Sequence, residues 1–151
     1  MPRKRILLVA SAGGHWVQLS RMSPAFDGHD TYYVTTMRGA SPPSGDRPVR
    51  VIADASRSTP HRFVLLVLQV IWAQLTLRPD VIVTTGAAPG LIALQIGKLL
   101  GSKTVWVDSL ANSEELSWSG RMARRFADLW LTQWPHLADH NSRLQFFGRV
   151  L

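Results

Sequence analysis

Residues 7–16 read "LLVASAGGHW": an apolar run stops at two glycines, and a histidine and a tryptophan follow at once. With Ile6, the run Ile6–Ala10 is continuous rather than alternating, the pattern of a strand buried on both faces. Ser11-Ala12-Gly13-Gly14 is then the turn, and residues 15–25 supply a helix with Val17, Leu19 and Met22 available for packing. A secretory signal is the competing reading, given the basic start and Ala10-Ser11-Ala12. Its apolar centre would be only five residues, Ile6–Ala10, where a signal core needs roughly 7–15. The strand reading stands.

Outward from this turn the pattern repeats. Residues 30–36, "DTYYVTT", are β-branched and aromatic, so they predict a strand. Residues 37–48, "MRGASPPSGDRP", form a loop, and 49–53 a short third strand. Residues 63–77, "FVLLVLQVIWAQLTL", are the most apolar segment. As a helix they span about 22 Å, short of the ~30 Å of a hydrocarbon core, and Arg62 and Arg78 bracket them. Strands at 80–85, 103–108 and 129–133 alternate with helices at 89–100 and 119–127, and Pro135 opens one more helical turn. Gly101-Ser102 ends the first of these helices, 89–100. This alternation predicts an α/β fold, a Rossmann-like parallel sheet flanked by helices with right-handed crossovers. Ligands of such sheets collect at the carboxyl ends of the strands.

Composition narrows the chemistry. The chain has 151 residues, the size of one ordinary domain. It has no cysteine, which excludes disulfides, thiol catalysis and thiolate-held zinc. Net charge is +7, and 14 of the 17 basic residues are arginine, whose planar fork suits phosphate and carboxylate. A surface of that sign fits an anionic membrane or a phosphorylated ligand, and equally an ordinary solvated surface. The basic residues are scattered, and nothing matches a motif that reads nucleic acid.

Three strand exits share one rim. After the first strand, Ser11, Gly13 and Gly14 let backbone approach a ligand, and the helix behind them offers unpaired N–H groups and a positive dipole end. That combination suits an anion, although "SAGGHW" is neither a dinucleotide fingerprint nor a P-loop, and a plain tight turn would look the same. His15 sits at the mouth of this exit. A histidine there suits general-base work, and a helix-start histidine bonding local backbone is the alternative. The second exit, "TTGAAPG" at 84–90, repeats the logic with Thr85, Gly86 and Ala87, though Thr85 can equally cap its helix. At the third, Asp108 and Ser109 leave the sheet on the same side, ahead of Glu114 and Glu115, which read as solvated. Together the exits predict a cleft for a polar, phosphorylated ligand.

Four stretches carry a resemblance: "SAGGH" at 11–15, "PDVIVTTGAAP" at 79–89, "KTVWVDSLAN" at 103–112 and "LSWSGRMARRFADLWLTQWPHL" at 116–137. In this order they resemble the acceptor-domain subunits of split GT-B glycosyltransferases. That group includes bacterial exopolysaccharide and capsule biosynthesis proteins and asparagine-linked glycosylation protein fourteen. It is similar in turn to the N-terminal half of the lipid II-forming N-acetylglucosaminyltransferase.

The resemblance implies that residues 1–151 form one half of a GT-B fold, with a sugar-nucleotide-binding partner polypeptide supplying the other in a heterodimer. It implies transfer from a UDP-sugar to a lipid-pyrophosphate-linked saccharide, with no cofactor and no metal, at the cytoplasmic face of the inner membrane. Carried over, Gly13, Gly14 and His15 lie beside the acceptor, with Gly86 and Ala87 next to them, and His15 takes the proton of the attacking hydroxyl. The stretch "RLQFFGRVL" helps dock the partner through Phe146, Phe147, Val150 and Leu151. The eukaryotic member carries an N-terminal membrane anchor, so attachment is expected here to be peripheral, through the basic surface and the 63–77 helix, or supplied by the partner. The second turn, Gly-Ala-Ala-Pro-Gly, departs from the richer glycine string of the single-chain relative. A non-catalytic membrane scaffold that recruits the catalytic partner is an alternative. So is a dinucleotide-binding oxidoreductase, although Thr36-Met37-Arg38 stands where such an enzyme carries an acidic residue.

Overall fold

A computed structural model describes residues 1–56 and 58–150 of the chain. The apolar run that opens the sequence forms β1, Arg5–Ala10, and every later strand runs parallel to it. The elements in chain order are β1, α1 (Gly14–Met22), β2 (Asp30–Thr35), β3 (Arg50–Val51), α2 (Pro60–Leu77), β4 (Val81–Thr84), α3 (Ala87–Leu99), β5 (Lys103–Val107), α4 (Trp118–Ala123), β6 (Leu129–Thr132) and β7 (Leu144–Phe146). Short 3₁₀ turns follow α1 at Ser23–Phe26 and β6 at Pro135–Leu137.

The seven strands lie in the order β3-β2-β1-β4-β5-β6-β7. The direction of winding reverses between β1 and β4, where Ile6–Val9 pair with Val81–Thr84. Alternate residues of β1 face opposite ways, which is why its run is continuously apolar. Leu7 and Val9 join the core under α2, α3 and α4, with Leu66, Val70, Ile82, Leu94, Trp106 and Ala123. Ile6, Leu8 and Ala10 join the core under α1, with Trp16, Leu19, Tyr33 and Val83.

The expected α/β architecture forms, with local differences. The strand expected over 49–53 shrinks to Arg50–Val51, because Ala53 N–H donates instead to the Gln69 side chain at 2.7 Å. The helix expected over 63–77 begins at Pro60, with Pro at its first turn, and so runs 18 residues, about 27 Å. By length and composition this is enough to cross a membrane. Leu66, Val70, Ala73 and Gln74 nevertheless bury one side of it in the fold. The α3 terminus closes as read: Gly101 N–H donates to Lys98 O at 3.3 Å and Ser102 N–H to Gly97 O at 2.9 Å, the paired bonds of a Schellman motif. Part of the stretch expected to face a partner is instead sheet, since Phe146 pairs with Thr132 in β7. Phe147 is 73% exposed, Val150 is half-buried, and Leu151 lies outside the described residues.

Candidate functional site

At the winding reversal, the turns leaving β1 and β4 come together. Gly13 stands at the start of α1 with φ +79°, and Gly86 at the start of α3 with φ +130°. Among the described residues, neither helix has a side chain capping its first N–H groups. Thr85, a candidate cap, donates its hydroxyl to His15 O at 2.7 Å instead. Two helix N-termini with unpaired donors and positive dipole ends therefore open side by side. Ser11 and the exposed Ala12-Gly13-Gly14 backbone form the outer lip, and Ala12 N–H is tied to the Thr36 hydroxyl at 2.9 Å.

His15 bridges the two turns. Its Nδ1 lies 2.9 Å from Thr85 O. A carbonyl oxygen only accepts, so Nδ1 carries the proton, and in the neutral ring the lone pair sits on Nε2. The imidazole is thus held as the tautomer that can take a proton at Nε2, and it is half-buried. The ring lies against Gly86: a Cβ built there would stand 2.9 Å from His15 Cε1. The two residues are 71 positions apart in sequence and meet only because β1 and β4 are neighbours.

The third exit is built differently from the open rim carboxylate the sequence suggested. Asp108 is 1% exposed. Its Oδ1 accepts from Trp106 Nε1 (3.1 Å) and the Ser117 hydroxyl (2.7 Å), and its Oδ2 from Asn112 Nδ2 (3.1 Å) and Ser117 N–H (3.0 Å). Four donors from the chain itself occupy the carboxylate, so it organises the loop from β5 to α4. Ser109 is 7% exposed, and its Oγ accepts from Gln18 Nε2 at 3.2 Å and from Ala111 N–H at 3.2 Å. Glu114 and Glu115 are exposed, as read, and Glu115 pairs with Arg121 at 3.3 Å.

Two buried amides meet at this exit that the sequence does not single out, Gln18 and Gln133. Gln18 had a faint signal, as a polar residue between the inward Trp16 and Leu19 of α1. Gln133 had only its place in the Gln-Trp-Pro run.

A parallel sheet with this strand order, and with two glycine turns paired at its switch point, is a Rossmann-like fold of the kind that forms each half of a GT-B protein. Consistent with this, the crystal structure of Acinetobacter baumannii MurG superposes with a TM-score of 0.75 at 14% identity, over 97% of this chain and 46% of that one. Residues 47–150, more than half the chain, match the family described as oligosaccharide biosynthesis protein Alg14 like. The chain belongs to that family. The UDP-N-acetylglucosamine transferase subunit ALG14 of Eremothecium gossypii is 37% identical over 79 residues, 48% of this chain and 35% of that protein. The corresponding subunit of Schizosaccharomyces pombe is 38% identical over 77 residues, 48% of this chain and 37% of that protein. The match thus spans little more than a third of the length of these relatives.

Proposed function

We propose that residues 1–151 are the acceptor-binding domain and subunit of a two-chain GT-B glycosyltransferase. A partner polypeptide contributes the sugar-nucleotide half. The enzyme transfers a sugar from a UDP-sugar, UDP-N-acetylglucosamine in the named relatives, to a lipid-pyrophosphate-linked saccharide. The observation that carries this reading is His15, its Nδ1 committed to Thr85 O and its Nε2 available between two uncapped helix N-termini. The acceptor diphosphate lies against the N–H groups behind Gly13-Gly14 and Gly86-Ala87, beside Ser11. His15 Nε2 takes the proton of the attacking hydroxyl as its oxygen bonds to the sugar's anomeric carbon. The bond from that carbon to UDP breaks, and UDP leaves. Thr85, Asp108 and Ser109 act through the chain, by holding the turns.

The protein sits on the cytoplasmic face of the inner membrane through the outer side of α2. Val64, Leu65, Leu68, Trp72 and Leu75 are exposed there. Arg50 stacks on the Trp72 ring at 4.3 Å, and Arg62 and Arg78 stand at the helix ends. The partner docks at residues 147–150, continuing the open edge of β7.

His15→Asn tests the chemistry, because the amide can still donate to Thr85 O but offers no base. Transfer by the partnered enzyme should fall by ~10²–10⁴ with the complex intact. Loss of the complex with no separate loss of chemistry would favour the scaffold reading.

A further inference from the structure

The run Gln133-Trp134-Pro135-His136 has no part in the chemistry above, yet it grips the third exit at three points. Gln133 Nε2 donates to Asp108 O at 3.0 Å, Trp134 Nε1 to Leu110 O at 2.8 Å, and His136 Nε2 to Ser113 O at 2.6 Å. Gln133 then extends this grip in two directions. Its Nε2 also donates to Gln18 Oε1 at 2.6 Å, and its Oε1 accepts Val150 N–H at 2.8 Å. Its backbone oxygen accepts Arg149 Nε at 3.2 Å, while the Arg149 guanidinium lies 4.3 Å over the Trp134 ring.

Only one orientation of this amide satisfies its surroundings. Asp108 O can only accept and Val150 N–H can only donate, so a flipped amide would face oxygen to oxygen and N–H to N–H. Gln18 is equally committed, accepting Leu110 N–H at 3.1 Å and donating to Ser109 Oγ. It also lies three residues beyond His15 on α1, within one turn of the same helix. A continuous chain of paired groups therefore runs from residues 149–150 at the surface through the buried Gln133 and Gln18 to the helix whose first turn carries His15. In a low-dielectric interior such a network tolerates no single loose member, since each loss strands several partners.

We propose that Gln133 is a positioning residue. It registers the 149–150 segment against α1, so that a partner seated on that segment sets the place of His15. This rests on the reading above of where the partner docks and what His15 does.

The test uses nuclear magnetic resonance on the full chain, on a chain lacking residues 149–151, on Gln133→Glu and on the combination. Gln133→Glu keeps the shape and the acceptor for Val150 N–H, but sets a carboxylate oxygen against Gln18 Oε1 and Asp108 O. Removing 149–151 should shift the His15 ring resonances and speed amide exchange at Val17–Met22 and Leu110 about tenfold. Gln133→Glu should do the same, and the combination should add nothing further. Changes confined to residues 131–134 after the truncation, with His15 and α1 unmoved, overturn the proposal, as do strictly additive effects. Should Gln133→Glu fold poorly, the truncation alone decides, since Arg149 is exposed and Val150 half-buried. None of these readouts needs transfer activity. Coupling found in an enzyme that His15→Asn leaves unimpaired sinks the catalytic reading alone. Impairment without coupling sinks this inference alone.

Discussion

The contact between His15 and Gly86 makes hydrogen the only tolerable side chain at position 86, for two separate reasons. A φ of +130° lies where L residues are strained, and a Cβ would meet the imidazole at 2.9 Å. Gly86→Ala should therefore lower unfolding stability by more than ~1 kcal/mol and push the ring away from Thr85 O. Denaturant midpoints and the His15 resonances would register both effects. Gly14→Ala is the informative contrast. Nothing lies within 4 Å of a Cβ there, and α1 already has helical backbone at that position. Its stability should be unchanged, so any loss of transfer would report a group that approaches the turn from outside the chain. Equal destabilisation by both changes would refute the crowding argument.

At the scale of elements, Asp128 fastens the second half of the sheet. It stands just before β6, takes N–H and hydroxyl bonds from Thr104 of β5 at 2.9 and 3.1 Å, and pairs with Lys98 near the end of α3. Burial alone would raise its pKa. The hydrogen bonds from Lys98 and Thr104, with the Lys98 charge, outweigh that and hold the carboxyl below its ordinary 3.8. A lowered pKa in the fold contributes stability above the unfolded value, and this is lost as pH falls through the folded one. Asp128→Asn should thus be less stable than the parent at neutral pH, by no more than about 1 kcal/mol for so exposed a pair. The gap should narrow below about pH 4 and vanish in stronger acid. A gap that persists unchanged into acid would rule out the charge as its source.

The elements also show what a linear reading can reach. Buried strands and the glycine turns behind them were legible because burial and backbone freedom leave local marks. Helix α2 opens at Thr59-Pro60, three residues ahead of its apolar run, so its start is marked by the proline and not by hydrophobic periodicity. β7 leaves no mark, because Leu144–Phe146 is three residues long, too short for alternation to show. In the site, His15, Gly86 and Asp108 could each be picked out. That His15 and Gly86 touch, and that Asp108 is enclosed, follow from strand order, which no local pattern encodes. Gln18 and Gln133 were invisible for the same reason, since their partners lie 92 and 115 positions away along the chain.

The whole molecule combines a net charge of +7 with one apolar helix face that the fold leaves uncovered. These two features make separable demands on a membrane. Electrostatic attraction acts over a Debye length, about 10 Å at 0.1 M salt and about 3 Å at 1 M. Insertion of Leu65, Leu68, Trp72 and Leu75 depends on apolar area and persists in salt. Binding to vesicles containing anionic phospholipid should therefore weaken as salt rises from about 0.1 to 1 M without disappearing. Trp72→Glu should remove the part that survives, because it sets a charge in the middle of the apolar face and opposite the arginine that stacks there. Trp72 is 58% exposed, so the substitution should leave thermal unfolding nearly unchanged, and cosedimentation with vesicles then reads the surface rather than the fold. If the variant still binds in 1 M salt as the parent does, another face of the molecule meets the membrane. The switch-point cleft would then meet the proposed lipid-borne acceptor from that face instead.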